Sequence, residues 1–281
     1  MQLGCHVSIR NGFLAAARTA RAIGANAFQY FPKNPRSLAM KTLDSADAAA
    51  CRDYCRTHGL ASVAHAPYPA NIAAEDEQTR AAVAASLLND LAIADACGSV
   101  GVVVHFGTYK GKDALQGYKN SLQCLNSVLS RWEGSALVLI ENQSGEGSSM
   151  GMTLDECVAI RQLSEFPEKI GFCLDTCHLF ASGVWTGNNW TEVERHGEEI
   201  GYFRHLRAVH LNDSVYASGS RRDRHAFAGS GRIGEAGLKE LLASRWIAAV
   251  PVLLETPKGK DGTHRGEIAL IRSWLKDGQR F

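Results

Sequence analysis

Residues 171–180 read GFCLDTCHLF and set two thiols, a carboxylate and an imidazole within six positions, Cys173 to His178. Such a set could ligate a metal, form a redox pair or attach haem. The spacing argues against the thiols. Haem attachment takes C-x-x-C-H, and a thioredoxin-like pair also takes two intervening residues, whereas three separate Cys173 from Cys177. A cysteine-rich zinc knuckle needs a second pair downstream, and none follows. On an extended strand Cys173 and Asp175 share one side and Leu174 takes the other. Cys173 is then expected below Asp175 as small apolar filler, with Cys177 in the turn beyond the strand. Cys51 and Cys55, one helical turn apart, receive the same reading. Eight cysteines scattered over a long chain with no signal segment are expected to be reduced.

Asp175 and His178 have counterparts elsewhere. Other short apolar runs also end in metal-type ligands: SVAHA at His65, VGVVVHF at His105, ALVLIEN at Glu141, LRAVHLND at His210 and VPVLLET at Glu255. Asp223 and His225 lie in the segment 212–234, which is rich in Gly, Ser and Arg. The set is five His, two Asp and two Glu. Nitrogen and carboxylate oxygen without thiolate suit zinc or manganese better than an iron–sulfur cluster. Nine ligands exceed the need of one ion and point to two or three. Multinuclear sites of that kind clamp both the attacking and the leaving oxygen of a phosphoryl displacement. A lone His at a strand end is more often a packed or hydrogen-bonded residue than a ligand. Six strand ends alike shift that balance, because burying several unpaired charges together is too costly without counter-ions. His58, His196, His205 and His264 have no such placement and are expected at the surface or at helix ends. His6, on the first strand, is expected behind the ligands.

Elements that could position these residues alternate along the chain. Eight apolar runs (3–8, 27–31, 62–66, 100–106, 136–142, 170–176, 206–213 and 250–256) read as strands, several of them continuous in Val, Leu and Ile. Helical patterns lie between them, as in 12–24, 45–59, 77–98, 154–164 and 235–244, with Gly24, Gly59 and Gly98 as C-terminal caps. The 281 residues fit one (β/α)₈ TIM barrel, a single domain over 1–281. A doubly wound open sheet is the alternative, but no G-x-G-x-x-G follows any strand. In a barrel all strand C-termini open onto one face, so ligands spread over most of the sequence would converge there. The segment 212–234 has no helical period, and loops of that length usually carry function.

Bulk properties narrow the rest. Net charge is +1 and the isoelectric point about 7.6, so a nucleic-acid partner would have to use a local basic patch. No apolar run approaches the ~18 residues of a membrane helix, and the N-terminal MQLGCHVSIRNGF lacks the apolar core of a signal peptide. A soluble cytoplasmic protein is expected.

The motifs GCHVS (4–8), FPKNPR (31–36), HAPYPAN (65–71), VVHFG (103–107), LIENQSGEGSSMG (139–151), CLDTCHLFASG (173–183), VHLNDS (209–214), GSRRDRHAFAGSGRIG (219–234) and LLETP (253–257) occur in this order along nearly the whole chain. In these motifs the sequence resembles the endonuclease IV family of zinc-dependent apurinic/apyrimidinic endonucleases. The resemblance implies a (β/α)₈ barrel with three zinc ions per chain, manganese being a substitute. It implies that His65, His105 and Glu141 hold the first ion. Glu141 would bridge to a second, held also by Asp175, His210 and Glu255, and His178, Asp223 and His225 would hold the third. The implied reaction, a step of base excision repair, is hydrolysis of the phosphodiester 5′ to an abasic site in duplex DNA. It would leave a 3′-hydroxyl and a 5′-deoxyribose phosphate. Zinc would activate a hydroxide that Glu141, as the catalytic residue, orients. Arg36 and Tyr68 match family positions that contact DNA, and Lys33, Arg221, Arg222, Arg224 and Arg232 would add charge for phosphates, Arg224 foremost because it lies between two ligands. Two positions depart from the family pattern: Pro69 stands where Leu is common, and Leu38 where Trp is common. A monomer with no obligate protein partner and no membrane association is implied.

The alternative is a xylose-isomerase-like sugar isomerase or epimerase, which uses Glu, Asp, His and Glu around one divalent ion, here Glu141, Asp175, His210 and Glu255. His65, His105, His178, Asp223 and His225 discriminate, since a one-metal sugar enzyme does not require them.

Overall fold

The computed structural model describes residues 1–277. Strands and helices alternate as β1 (Leu3–His6), α1 (Phe13–Ala22), β2 (Ala27–Tyr30), α2 (Ser45–His58), β3 (Ala61–His65), α3 (Glu77–Ala96), β4 (Gly101–His105), α4 (Ala114–Leu129), β5 (Leu137–Glu141), α5 (Leu154–Leu163), β6 (Ile170–Asp175), α6 (Thr176–Ala181), α7 (Trp190–Glu199), β7 (Leu206–His210), β8 (Asp213–Ser214), β9 (His225–Ala226), α8 (Gly234–Leu242), α9 (Arg245–Ala248), β10 (Val252–Leu254) and α10 (Arg265–Asp277). Strands β1 to β7 pair in sequence order, and β10 closes the ring between β7 and β1, every pairing parallel. This is the (β/α)₈ barrel that the alternation predicts.

The eight barrel strands correspond to the eight expected runs; seven lie within them, and β3 starts one residue earlier, at Ala61. All three predicted glycine stops adopt left-handed backbone; Gly59, at φ 62°, caps α2, and its amide donates to the Cys55 carbonyl. The segment 212–234 differs from the expectation of an irregular loop. Its ends pair as a short antiparallel ribbon, β8 with β9, in which Ser214 lies opposite His225. Two residues per strand give no periodic signal, so the sequence could not reveal it. Cys177 lies in the first turn of α6 rather than in a turn.

The core has two layers. Between strands and helices, large side chains such as Phe28, Leu87, Leu91, Phe106, Phe172 and Trp190 fill the outer layer. Inside the barrel a ring of Ala27, Val63, Val103, Leu139, Cys173, Ala208 and Leu253 packs together, one residue from each of seven strands. Cys173 is thus the small filler expected of it. All eight cysteines are buried and unpaired. Among the described residues no helix is long and apolar enough to cross a membrane.

Candidate active site

Side chains two residues apart on a strand share a face. Each member of the inner ring therefore has a neighbour one step nearer the C-terminal mouth. Those neighbours are Gln29, His65, His105, Glu141, Asp175, His210 and Glu255. Six are predicted ligands. The sheet register sets His105 beside Glu141, and Asp175 beside His210. The apolar ring below them seals the floor, so all six look into one mouth.

All nine predicted ligands come together, in three groups whose ligand atoms lie within 4.8 Å of one another: His65, His105 and Glu141; Glu141, Asp175, His210 and Glu255; His178, Asp223 and His225. Glu141 belongs to two groups because its oxygens face opposite ways. Oε2 is 3.5 Å from Nε2 of His65 and 3.2 Å from Nε2 of His105. Oε1 is 2.8 Å from Nδ1 of His210, which in turn lies 3.2 Å from Glu255 Oε2. In the third group Asp223 stands between Nε2 of His178 at 3.1 Å and Nε2 of His225 at 3.0 Å.

The motif D-x-x-H now has a geometric account. Asp175 ends β6 and caps α6, its Oδ1 accepting the amide hydrogen of His178 at 2.7 Å. Oδ2 faces the second group. The cap points His178 toward the third group, so one short stretch joins two ligand sets. Cys177 also brings its sulfur near Asp175 and His225. Burial pushes that thiol up, however, and it sits 3.8 Å from the Arg224 carbonyl, to which it donates.

The outer faces of four of the five imidazoles are anchored. Nδ1 of His65 is 2.7 Å from the Ala66 carbonyl, Nδ1 of His178 is 2.9 Å from the Asn142 carbonyl, and Nδ1 of His225 is 3.3 Å from the Glu255 carbonyl. Nε2 of His210 is 2.7 Å from Gln29 Oε1. A carbonyl accepts, so each of these nitrogens donates to it, and the opposite nitrogen faces carboxylates. Contacts of that kind need a proton or a metal ion between nitrogen and oxygen. Oε2 of Glu141 and Nε2 of His225 are both buried without a hydrogen-bond partner. These are the features expected of ligands to metal ions, and the donor set fits zinc.

The electrostatics agree. Burial opposes charge on His178, yet Asp175, Asp223 and Glu141 outweigh it and hold the imidazole well above its usual range. His225 rises to about 9 against burial, through Asp223, Asp175 and Glu255. Burial would raise Glu141, but His210 and His105 hold it well below the carboxylate range. A field that draws protons onto buried imidazoles draws divalent cations equally.

Side chains that the sequence reading passed over hold the ligands in place. Gln29 donates to Glu255 Oε1 at 2.7 Å while accepting from His210, and His6 lies 3.4 Å from the same amide. Asn212 donates to Asp175 Oδ2 at 2.7 Å and accepts the Glu255 amide hydrogen at 2.9 Å. Asn142 exchanges hydrogen bonds with the backbone of Asp175 at 2.8 and 3.1 Å. Asp213 is buried and collects the amides of Gly229, Gly231 and Ile233 at 2.9 to 3.0 Å, which folds the loop after His225 around it. A Cβ on Gly231 would come within 2.4 Å of that carboxylate, so the close approach requires glycine. A polar residue at the ligand position of an otherwise buried strand is the signal that could have found Gln29.

The groups face a cavity of about 700 Å³, lined also by Phe31, Pro35, Tyr68, Lys258 and His264. Tyr68 is 67% exposed at the rim, and its ring meets Phe31 edge-on at 5.2 Å. Its amide donates to the Pro35 carbonyl at 2.8 Å, which joins its loop to the one carrying Arg36. Arg36, Arg221, Arg222, Arg224 and Arg232 lie at the surface, with Arg224 3.4 Å from Glu146 and Arg222 over the Tyr216 ring. Pro69 is exposed, whereas Leu38 is half-buried against the core.

One expectation needs correction. Lys33 does not offer its charge to phosphates. It is buried, with Nζ 3.1 Å from Asp90 Oδ1 and donating to the Ser86 carbonyl at 2.8 Å. Asp90 lies 57 positions away (90 − 33) on α3, a pairing that no local pattern shows. His264 lies at a helix end, within its expectation, but away from the surface. It is buried at the start of α10, its Nδ1 3.3 Å from Glu267. Of the other three, His58 and His196 are exposed, and His205 is half-buried at a 3₁₀-helix end.

Fold and site together define a metal-ligand barrel of the xylose isomerase type. A family model described as "Xylose isomerase-like TIM barrel" matches residues 17–277. The probable endonuclease 4 of Symbiobacterium thermophilum is 44% identical over 276 residues, covering 98% of this chain and all of that protein. That of Heliobacterium modesticaldum is 39% identical over 277 residues, covering 98% and 100%. The crystal structure of endonuclease IV from Thermus thermophilus superposes with a TM-score of 0.87 at 32% identity, covering 99% of this chain and 100% of that one. The chain belongs to the endonuclease IV family.

Proposed function

We propose that the chain is a DNA-repair endonuclease that hydrolyses the phosphodiester 5′ to an abasic site in duplex DNA, leaving a 3′-hydroxyl and a 5′-deoxyribose phosphate, as a step of base excision repair. The observation that carries this reading is the convergence of nine His, Asp and Glu side chains into three ligand groups around one cavity, two of them sharing Glu141. A one-metal sugar isomerase or epimerase would need only Glu141, Asp175, His210 and Glu255. It would leave His65, His105, His178, Asp223 and His225 without a purpose.

His65, His105 and Glu141 would hold one zinc ion, Glu141, Asp175, His210 and Glu255 a second, and His178, Asp223 and His225 a third. Zinc at these groups supplies Lewis acidity and brings the pKa of water to about 7, and manganese could replace it. Glu141, facing two groups at once, orients the attacking water. The apolar ring beneath the ligands closes the barrel interior below the site. Tyr68, Arg36 and Arg224 contact the duplex from the rim, with the exposed Pro69 as an apolar wedge beside Tyr68. The surface arginines supply the local positive charge that the whole chain lacks. We place the enzyme in the cytoplasm as a monomer of one domain, a reading supported by its eight buried, unpaired cysteines and by the continuous barrel.

The test is elemental analysis together with nicking of a duplex containing one abasic site. Three zinc ions per chain and metal-dependent nicking are expected. One divalent ion per chain, turnover of a ketose and no nicking would sink the reading.

A further inference from the structure

Glu267 lies in the first turn of α10 and is 1% exposed. A carboxylate so deeply buried is costly unless its oxygens are satisfied. Its oxygens join two remote segments. Oε2 accepts the Thr256 hydroxyl hydrogen at 2.5 Å and lies 3.3 Å from Nδ1 of His264, and Oε1 accepts the Ala228 amide hydrogen at 2.7 Å. Thr256 follows Glu255 directly, and Ala228 is three residues past His225. The same two segments also touch on the cavity side, where Nδ1 of His225 is 3.3 Å from the Glu255 carbonyl. The end of β10 is therefore laced twice to the β9 side of the ribbon, once through the His225 imidazole and once through Glu267, while Asn212 ties Glu255 to the β8 side.

The ribbon needs such support. It has two residues per strand, and even a longer isolated hairpin is marginal in water. Asp213 gathers its loop internally but does not fix where the loop sits relative to β10. Among the described residues, Glu267 is the side chain that accepts from both segments.

We propose that Glu267 is a positioning residue for the metal centre, fixing the spacing between the ligand group of Glu255 and that of His225. The inference rests on the metal reading above. It predicts a selective effect: zinc held through Glu255 and His225 depends on Glu267, and zinc held by His65, His105 and Glu141 does not.

The experiment compares the full chain with Glu267→Ala, Thr256→Val and Glu267→Gln. The glutamine change conserves the lacing, since its carbonyl can accept from Ala228 and its amide nitrogen can donate to the Thr256 oxygen. Two readouts are taken. In the metal-free chain, amide hydrogen exchange over 225–234 should be about tenfold faster in Glu267→Ala, the loss of one net hydrogen bond, and near wild type in Glu267→Gln. In the zinc-loaded chain, chelator competition should show part of the zinc held ~10–100-fold more weakly in Glu267→Ala and Thr256→Val, with the remainder and the glutamine variant unchanged. Wild-type exchange together with wild-type zinc retention in both Glu267→Ala and Thr256→Val overturns the proposal. Faster exchange with unaltered zinc retention overturns its claim on the metals. A wild-type chain that takes up no zinc overturns the metal reading itself, whatever the exchange shows. Thr256→Val removes one hydroxyl only, so the comparison survives if Glu267→Ala fails to fold.

Discussion

Gln29 Oε1 lies 2.7 Å from Nε2 of His210, and that contact determines which ring nitrogen faces the carboxylates. With Nε2 donating to Gln29, His210 turns Nδ1 toward Glu141 and Glu255. The same amide donates to Glu255 Oε1 at 2.7 Å, so one side chain on β2 orients two members of one ligand group. Gln29→Leu keeps the approximate volume and removes both bonds. Loss of such a supporting partner typically costs ~10–100-fold in metal affinity. Titration of the variant against a chromophoric chelator should show a loss of that size. Zinc affinity equal to wild type would mean that His210 takes its orientation from elsewhere.

Without metal the site should become sensitive to alkali. His225 is raised to about 9 from an ordinary 6.5. A group raised in the folded state contributes stability that is fully present below its unfolded pKa and is lost as pH rises through its folded one. The metal-free chain should therefore lose stability between pH 6.5 and 9, the window set by His225. Bound zinc takes the place of the proton and should flatten that dependence. Melting of the chelated and zinc-loaded forms at both ends of the window checks this. A metal-free chain equally stable at both ends would contradict it.

Six of the ligands were legible in the sequence because each couples two signals, a buried strand and an ionisable residue at its end. His65, His105, Glu141, Asp175, His210 and Glu255 all carry both. Gln29 occupies the same register but is neutral, so only the ring of residues below it shows its direction. Asn142 and Asn212 act through backbone contacts near the ligands, which no residue-type pattern encodes. The burial of Lys33 depends on Asp90, and that of His264 on how α10 packs against the cavity wall. Both are tertiary facts that a reading of local charge does not show. The mouth of the barrel was legible as chemistry, and its supports became visible only in three dimensions.

Cys173 and His178 separate packing from ligation within one short stretch. Cys173 lies in the inner ring, and burial pushes its thiol up to about 12, so it stays protonated at neutral pH. Cys173→Ala removes one sulfur from an apolar layer and should leave zinc content intact at a modest loss of stability, roughly 1 kcal/mol for a small core truncation. His178→Ala and Asp175→Ala should each lower the zinc content measured by mass spectrometry. Loss of zinc in the cysteine variant with the fold retained would return the thiol to the chemistry.

Tyr68 is an exposed aromatic residue of the rim, and its position is supported from below. Its amide is bonded to Pro35, and the loop that contains Pro35 and Arg36 is anchored on α3 by the buried pair Lys33–Asp90 at 3.1 Å and by Asn89, which bonds the backbone of Lys41 at 2.8 and 3.0 Å. Phe31 backs the tyrosine ring at 5.2 Å and meets His65 at 5.3 Å, so the aromatic contact reaches the first ligand group. An aromatic ring held this way can stack on an unpaired base or fill the gap at a lesion, and stacking of that kind contributes about 1–3 kcal/mol. Tyr68→Ala should keep its zinc. Its preference for an abasic over an intact duplex should fall by about tenfold, the equivalent of ~1.4 kcal/mol and the lower part of that range. Binding of both duplexes at one fixed salt concentration gives the ratio directly, since the phosphate contribution is common to the two and cancels. An unchanged ratio would remove Tyr68 from lesion recognition and leave the task to Arg36 and Pro69.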